Sequence, residues 1–87
     1  MYVICDRFLL SKNIRFLRKR RKMSRSKFAK YVDMSGNQLF CIEKEMNDYI
    51  FLKALNNLSE IYNIPADEIL SADLEEKYAG KRFHYTR

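Results

Sequence analysis

Residues 35–45 read SGNQLFCIEKE. Leu39 and Ile42 recur at the spacing of one helix face, and about 100° of turn per residue sets Asn37, Phe40, Cys41 and Lys44 opposite them. Gln38 falls on the flank. The chemistry available to that stripe is recognition. Asn37 and Gln38 carry amides that can pair bidentately with adenine. Phe40 and Cys41 suit a thymine methyl, and Lys44 suits a phosphate or a guanine edge. No catalytic set accompanies them. His84 is the only histidine, neither glycine has a partner at phosphate-loop spacing, and the adjacent Glu75 and Glu76 diverge on a helix. Cys5, Cys41 and His84 are too few and too scattered for a structural zinc site. No enzymatic activity, metal or cofactor is expected.

Charge adds a second line of argument. Residues 7–30 hold eleven bases and no acid, whereas residues 31–87 hold six bases and ten acids, within a total of +6. Such segregation points to a polyanion as partner. A helix beginning after Ser24 would open Arg25-Ser26-Lys27, with cations at the end where the helix dipole disfavours them. An anion bound there removes the conflict, which makes Arg25 and Lys27 candidate phosphate contacts, with the Ser24 hydroxyl beside them. Ser35 and Gly36 at the start of the next helix join this set, Gly36 by allowing close approach of backbone. Asn13 and Arg15 complete it. The run Arg18-Lys19-Arg20-Arg21-Lys22 encircles a helix end, so part of it faces the protein itself.

The elements that must hold these residues are helical. Two glycines and one proline in 87 residues leave little material for the turns of an all-β fold. Leu10, Ile14, Leu17 and Arg21 mark a helix from about Phe8 to Lys22. Ser24 caps a second helix burying Phe28, Ala29 and Val32, and Ser35 caps a third that runs to about Lys44. A polar loop, 45–50, leads to a fourth helix with Leu52, Leu55, Leu58, Ser59 and Tyr62 inward, ended by Asn63 in the left-handed conformation. Pro65 starts a fifth, anchored by Ile69 and Leu70; residues 73–79 can prolong it to Gly80. Tyr2-Val3-Ile4 is a weak strand or an arm. Phe83-His84-Tyr85 either pairs with it or lies in a disordered tail, whose Lys81, Arg82 and Arg87 suit a DNA backbone.

The chain resembles the Cro/phage-repressor (XRE-like) helix-turn-helix family over about residues 10–70. The resemblance is carried by Ile14-Arg15-Phe16-Leu17-Arg18, Met23-Ser24-Arg25-Ser26-Lys27-Phe28-Ala29, Asp33-Met34-Ser35, Leu39-Phe40-Cys41-Ile42-Glu43 and Ile64-Pro65-Ala66-Asp67-Glu68-Ile69-Leu70. It implies an all-α, compact, five-helix, lambda-repressor-like domain with the helix-turn-helix at helices two and three. The domain would span 1–72 (core 8–71), after a short N-terminal arm, with 73–87 as a C-terminal extension. It also implies that helix three enters the DNA major groove, that Arg18 pairs with Glu43 as a structural link, and that two copies pair to read two half-sites. Helix five, the 73–79 extension and the aromatic ends are the surfaces open to such a homodimer. The sequence departs from the family pattern where Arg25 replaces the usual glutamine, where Asp33 replaces the turn glycine, where Lys44-Glu45 replaces the glycine after helix three, and in the length of the following loop.

The expected function is therefore sequence-specific binding of double-stranded DNA by a small prokaryotic or phage regulator of repressor type. A protein partner, as for an antitoxin or adaptor, is the alternative that the apolar Phe40 keeps open. Two cysteines without a CxxC suit a reducing cytoplasm. No secretory pattern or membrane-length apolar run occurs, and the cations ringing helix one leave no broad lipid-facing side.

Overall fold

Leu10, Ile14 and Leu17 line one face of α1 (Arg7–Arg20) and are fully buried. The computed structural model describes residues 1–86, so Arg87 lies outside the described residues. After a short strand β1 (Tyr2–Ile4) and α1 come α2 (Arg25–Tyr31), α3 (Gly36–Glu43), β2 (Tyr49–Phe51), α4 (Leu52–Tyr62), α5 (Ala66–Ser71) and α6 (Leu74–Tyr78). The fold is mostly helical. Phe28 and Val32 from the α2 segment, Leu39 and Ile42 from α3, Leu58 and Ile61 from α4, Ile69 from α5 and Leu74 from α6 all reach zero exposure in one core. Tyr62 closes its centre, donating its hydroxyl proton to the Leu17 carbonyl at 2.5 Å; burial pushes the phenol pKa well up.

The helix starts follow the sequence. Asp6 accepts from the Phe8 and Leu9 amides, Ser24 from Lys27 and Ser35 from Gln38. The helix ends share one device. Four of them finish on a residue at positive φ: Lys22 at 53°, Asp33 at 60°, Glu45 at 62° and Asn63 at 55°. In each case the next amide reaches back to a carbonyl in the last turn: Met23 to Arg18, Met34 to Ala29, Met46 to Cys41 and Ile64 to Ser59. This is the left-handed helix cap, a place that favours glycine. None of the four is glycine.

Three expectations are corrected. The fold is not purely helical, because β1 and β2 pair antiparallel, Tyr2 with Phe51, Val3 with Ile50 and Ile4 with Tyr49. Residues 45–50 are therefore not all loop. The extension does not prolong the fifth helix: Ala72 turns extended, and Asp73 caps a separate sixth helix by accepting from Glu76. Asn13 fixes that corner. Its amide donates to the carbonyls of Ile69 (2.8 Å) and Ala72 (2.7 Å) and accepts from the Leu74 amide at 3.1 Å. Lys12 adds an ion pair to Asp73 at 2.7 Å, which holds that carboxyl below the usual range. Lastly, residues 83–86 are packed, not loose, and do not pair with β1. Phe83 and Tyr85 sit edge-on to Tyr62 at 5.5 and 5.2 Å, and Thr86 donates its amide to Ile61 and its hydroxyl to Glu60.

A side chain with a Cβ held at positive φ is strained by roughly 1 kcal/mol, of which glycine recovers part after its own entropy loss. Glu45→Gly should therefore raise the unfolding free energy by about 0.5–1 kcal/mol in urea titration. Lys44→Gly, one residue earlier at φ −91°, should lower it.

Candidate functional site

The segment between Tyr31 and Gly36 sets the geometry. Asp33 turns the chain at positive φ and Ser35 caps the next helix, so α2 and α3 meet across four residues. Leu39 and Ile42 point into the core with no exposure. Asn37, Phe40 and Lys44 are consequently exposed, with Cys41 half-buried beside them. Arg25, Lys27, Ser24, Ser35 and Gly36 are exposed as well; Arg25 and Gly36 line one groove with Phe40, whereas Ser35 borders the groove that holds Gln38. A Cβ built on Gly36 meets nothing within 4 Å, so the fold itself does not require glycine there.

Phe40 organises the charge around it. Its ring is 45% exposed, and two cations approach its faces or rim: the Arg25 guanidinium at 5.6 Å and the Lys44 ammonium at 5.7 Å. Each such contact is worth about 0.5–1 kcal/mol at an exposed site. A shallow groove of about 340 Å3 runs between the two helices, lined by Arg25, Ser26, Lys30, Met34, Gly36 and Phe40. Lys30 had no assigned role in the sequence; its position one helical turn beyond Ser26 was the available signal. The result is an aromatic ring ringed by ammonium and guanidinium groups, with side-chain hydroxyls at the helix starts. That arrangement can hold an anion beside a flat or methyl-bearing apolar surface.

The position of α3 relative to α1 is fixed by an ion pair. Arg18 Nε donates to Glu43 Oε2 at 2.7 Å and Nη2 to Oε1 at 2.9 Å, while Nη1 donates to the Met23 carbonyl. The side chains are only 16% and 4% exposed. Ser11 adds a hydrogen bond to the Glu43 carbonyl at 2.9 Å.

Other expected contacts lie elsewhere. Asn13 is fully buried and both ends of its amide are used inside the protein, so it offers nothing to a phosphate. Gln38 is 7% exposed and lines a different groove with Met34, Phe51 and Leu52. Its Oε1 has no hydrogen-bond partner among the described residues, and it does not share the face with Asn37 and Phe40. Arg15 hydrogen-bonds the Ser11 carbonyl and borders a third groove with Phe8, Lys19 and Glu45, apart from Arg25 and Gly36. Arg20 and Arg21 serve the tail: Arg20 lies over Phe16 and Phe83, Arg21 over Tyr31 and Tyr85.

Among the described residues no cluster of histidine, cysteine and acids is suited to a metal, and no helix is long and apolar enough to cross a membrane. No family model matches the chain, and no curated protein or solved structure is significantly similar to it.

Removing one partner of a largely desolvated ion pair costs about 3–5 kcal/mol, because the other charge is left buried. Glu43→Ala should destabilise the protein by about that amount in urea unfolding. The double variant Arg18→Met, Glu43→Met should recover most of the loss, and equal losses in both would contradict the assignment.

Proposed function

We propose that the protein is a sequence-specific double-stranded DNA-binding regulator, repressor-like and of prokaryotic or phage type. In this reading α2, the turn and α3 form a helix-turn-helix within a lambda-repressor-like domain, and the protein works in the cytoplasm as a homodimer. The supporting observation is the outward face of α3, where Asn37, Phe40 and Lys44 are exposed over a fully buried Leu39 and Ile42, beside the exposed cations of α2.

The division of labour follows from the chemistry. Arg25 and Lys27 neutralise phosphates and release counterions, which provides affinity but little choice. The Ser24 and Ser35 oxygens accept from backbone amides, so each hydroxyl proton remains available to a phosphate oxygen. Gly36 lets a sugar-phosphate chain pass close to α3. Asn37 pairs with an adenine edge, and Phe40 with Cys41 packs on thymine methyls. Lys44 reaches a phosphate or guanine while it steadies the Phe40 ring. Gln38, Asn13 and Arg15 have no part in this scheme.

A second reading is retained because of one observation: Phe40, the centre of the face, is an exposed apolar ring. A protein partner, as for an antitoxin or adaptor, would cover it equally well.

Fluorescence anisotropy with random-sequence duplex separates the two. Affinity should fall steeply as salt rises, and Lys27→Ala should reduce the log–log slope by about one. Gly36→Ala should weaken binding while leaving the unfolding midpoint unchanged or higher. Salt-insensitive behaviour with no duplex retained would favour the protein-partner reading.

A further inference from the structure

The two-stranded ribbon has an open edge. Leu52 donates its amide to the Met1 carbonyl and Cys5 donates to the Asp48 carbonyl. With Val3 opposite Ile50, residues 1, 3 and 5 turn their backbone groups toward β2. Antiparallel alternation then directs the N–H and C=O of Tyr2 and Ile4 away from it. An exposed edge is ordinarily blunted by shortness, by lysine or proline, or by a bulge, and β1 has only the first of these, with three residues. Tyr2-Val3-Ile4 contains no lysine, proline or bulge, and Tyr2 and Ile4 are 56% and 69% exposed.

We propose that this edge pairs with the same edge of a second copy. Antiparallel pairing about Val3 places Tyr2 opposite Ile4 of the partner and Ile4 opposite Tyr2 of the partner. Both are hydrogen-bonded pairs, so four backbone bonds form around the two-fold axis. The result is a continuous four-stranded sheet. Its outer face carries Tyr2, Ile4, Tyr49 and Phe51 from each copy, and three of these rings already pack together, Tyr2 on Tyr49 at 5.2 Å and on Phe51 at 6.4 Å. Side-chain ordering there adds little cost.

Charge does not oppose a second copy at this place. Residues 1–5 carry no charged side chain; Asp6 and Asp48 flank one end of the ribbon, and Lys53, paired with Asp33, follows the other. Two chains of net charge +6 can meet here without setting their basic segments against each other, since those begin at Arg7. An edge-to-edge contact of two three-residue strands buries only a small area, chiefly the outward backbone and the flanks of Tyr2 and Ile4. That is below the roughly 800 Å2 per partner of a standard stable interface, so the pair is concentration-dependent and is reinforced when two modules share one duplex. This last clause alone rests on the DNA-binding reading.

The test needs no DNA. Sedimentation equilibrium should show a reversible monomer–dimer in the purified protein. Ile4→Pro removes an outward N–H and leaves the bonds to β2, an arrangement an edge strand tolerates; it should weaken association by about tenfold or more. Val3→Cys in a Cys5→Ser, Cys41→Ser background should oxidise to a covalent dimer, because Val3 faces itself across the axis, while Ile4→Cys in that background should not. A protein that stays monomeric at about millimolar concentration, a dimer indifferent to Ile4→Pro, or cross-linking at Ile4 but not Val3 would each overturn the proposal.

Discussion

One guanidinium holds three helices in register. Arg18, near the end of α1, grips both oxygens of Glu43 at the end of α3 and also the Met23 carbonyl that leads into α2. Apolar contacts between helices are non-directional, and Leu39 and Ile42 alone would tolerate some rotation of α3 in its groove. A planar fork meeting a planar carboxylate does not, because two parallel bonds define an orientation as well as a distance. The outward direction of Asn37, Phe40 and Lys44 therefore depends on a pair of residues that never reach that face.

The remaining cations divide in a way that net charge conceals. Arg20 and Arg21 lie against aromatic rings of the α1–α2 region and the C-terminal segment, so part of the basic run works as internal fastening. Arg25, Lys30 and Lys44 remain around Phe40 or beside it, and Lys27 is exposed on the same helix as Arg25. An aromatic ring among cations keeps long, flexible side chains close to one place without neutralising them. The exposed ring is a positioning device first and a contact second.

Much of the helical skeleton was legible in the sequence because it is written locally. Ser24 and Ser35 as caps, Asn63 as a left-handed end and the Leu10–Ile14–Leu17 stripe each follow from neighbours a few residues away. The Arg18–Glu43 pair is separated by 25 residues and was accessible only through the family-like spacing. The features that escaped are those settled by distant partners. Three-residue strands carry too little periodicity to announce themselves, and β1 finds its partner far along the chain, Tyr2 against Phe51. Asn13 looks like a surface amide until the α5–α6 corner, more than fifty residues on, wraps over it. Gln38 is adjacent to Asn37, yet one step around the helix moves it from the open face to the flank, where it lines a groove with Phe51 and Leu52. The left-handed ends at Lys22 and Glu45 escaped because neither residue type signals that conformation.

The central claim is that α3 presents a rigid outward face, flanked by cations, to a nucleic-acid backbone. Amide and side-chain chemical-shift mapping during titration with short random-sequence duplex at low salt tests it directly. Signals from Lys27, Gly36, Asn37, Phe40 and Lys44 should move together, while the side-chain amides of Asn13 and Gln38 stay in place. Perturbation centred on the β ribbon or the C-terminal segment, with the α2–α3 face silent, would contradict it.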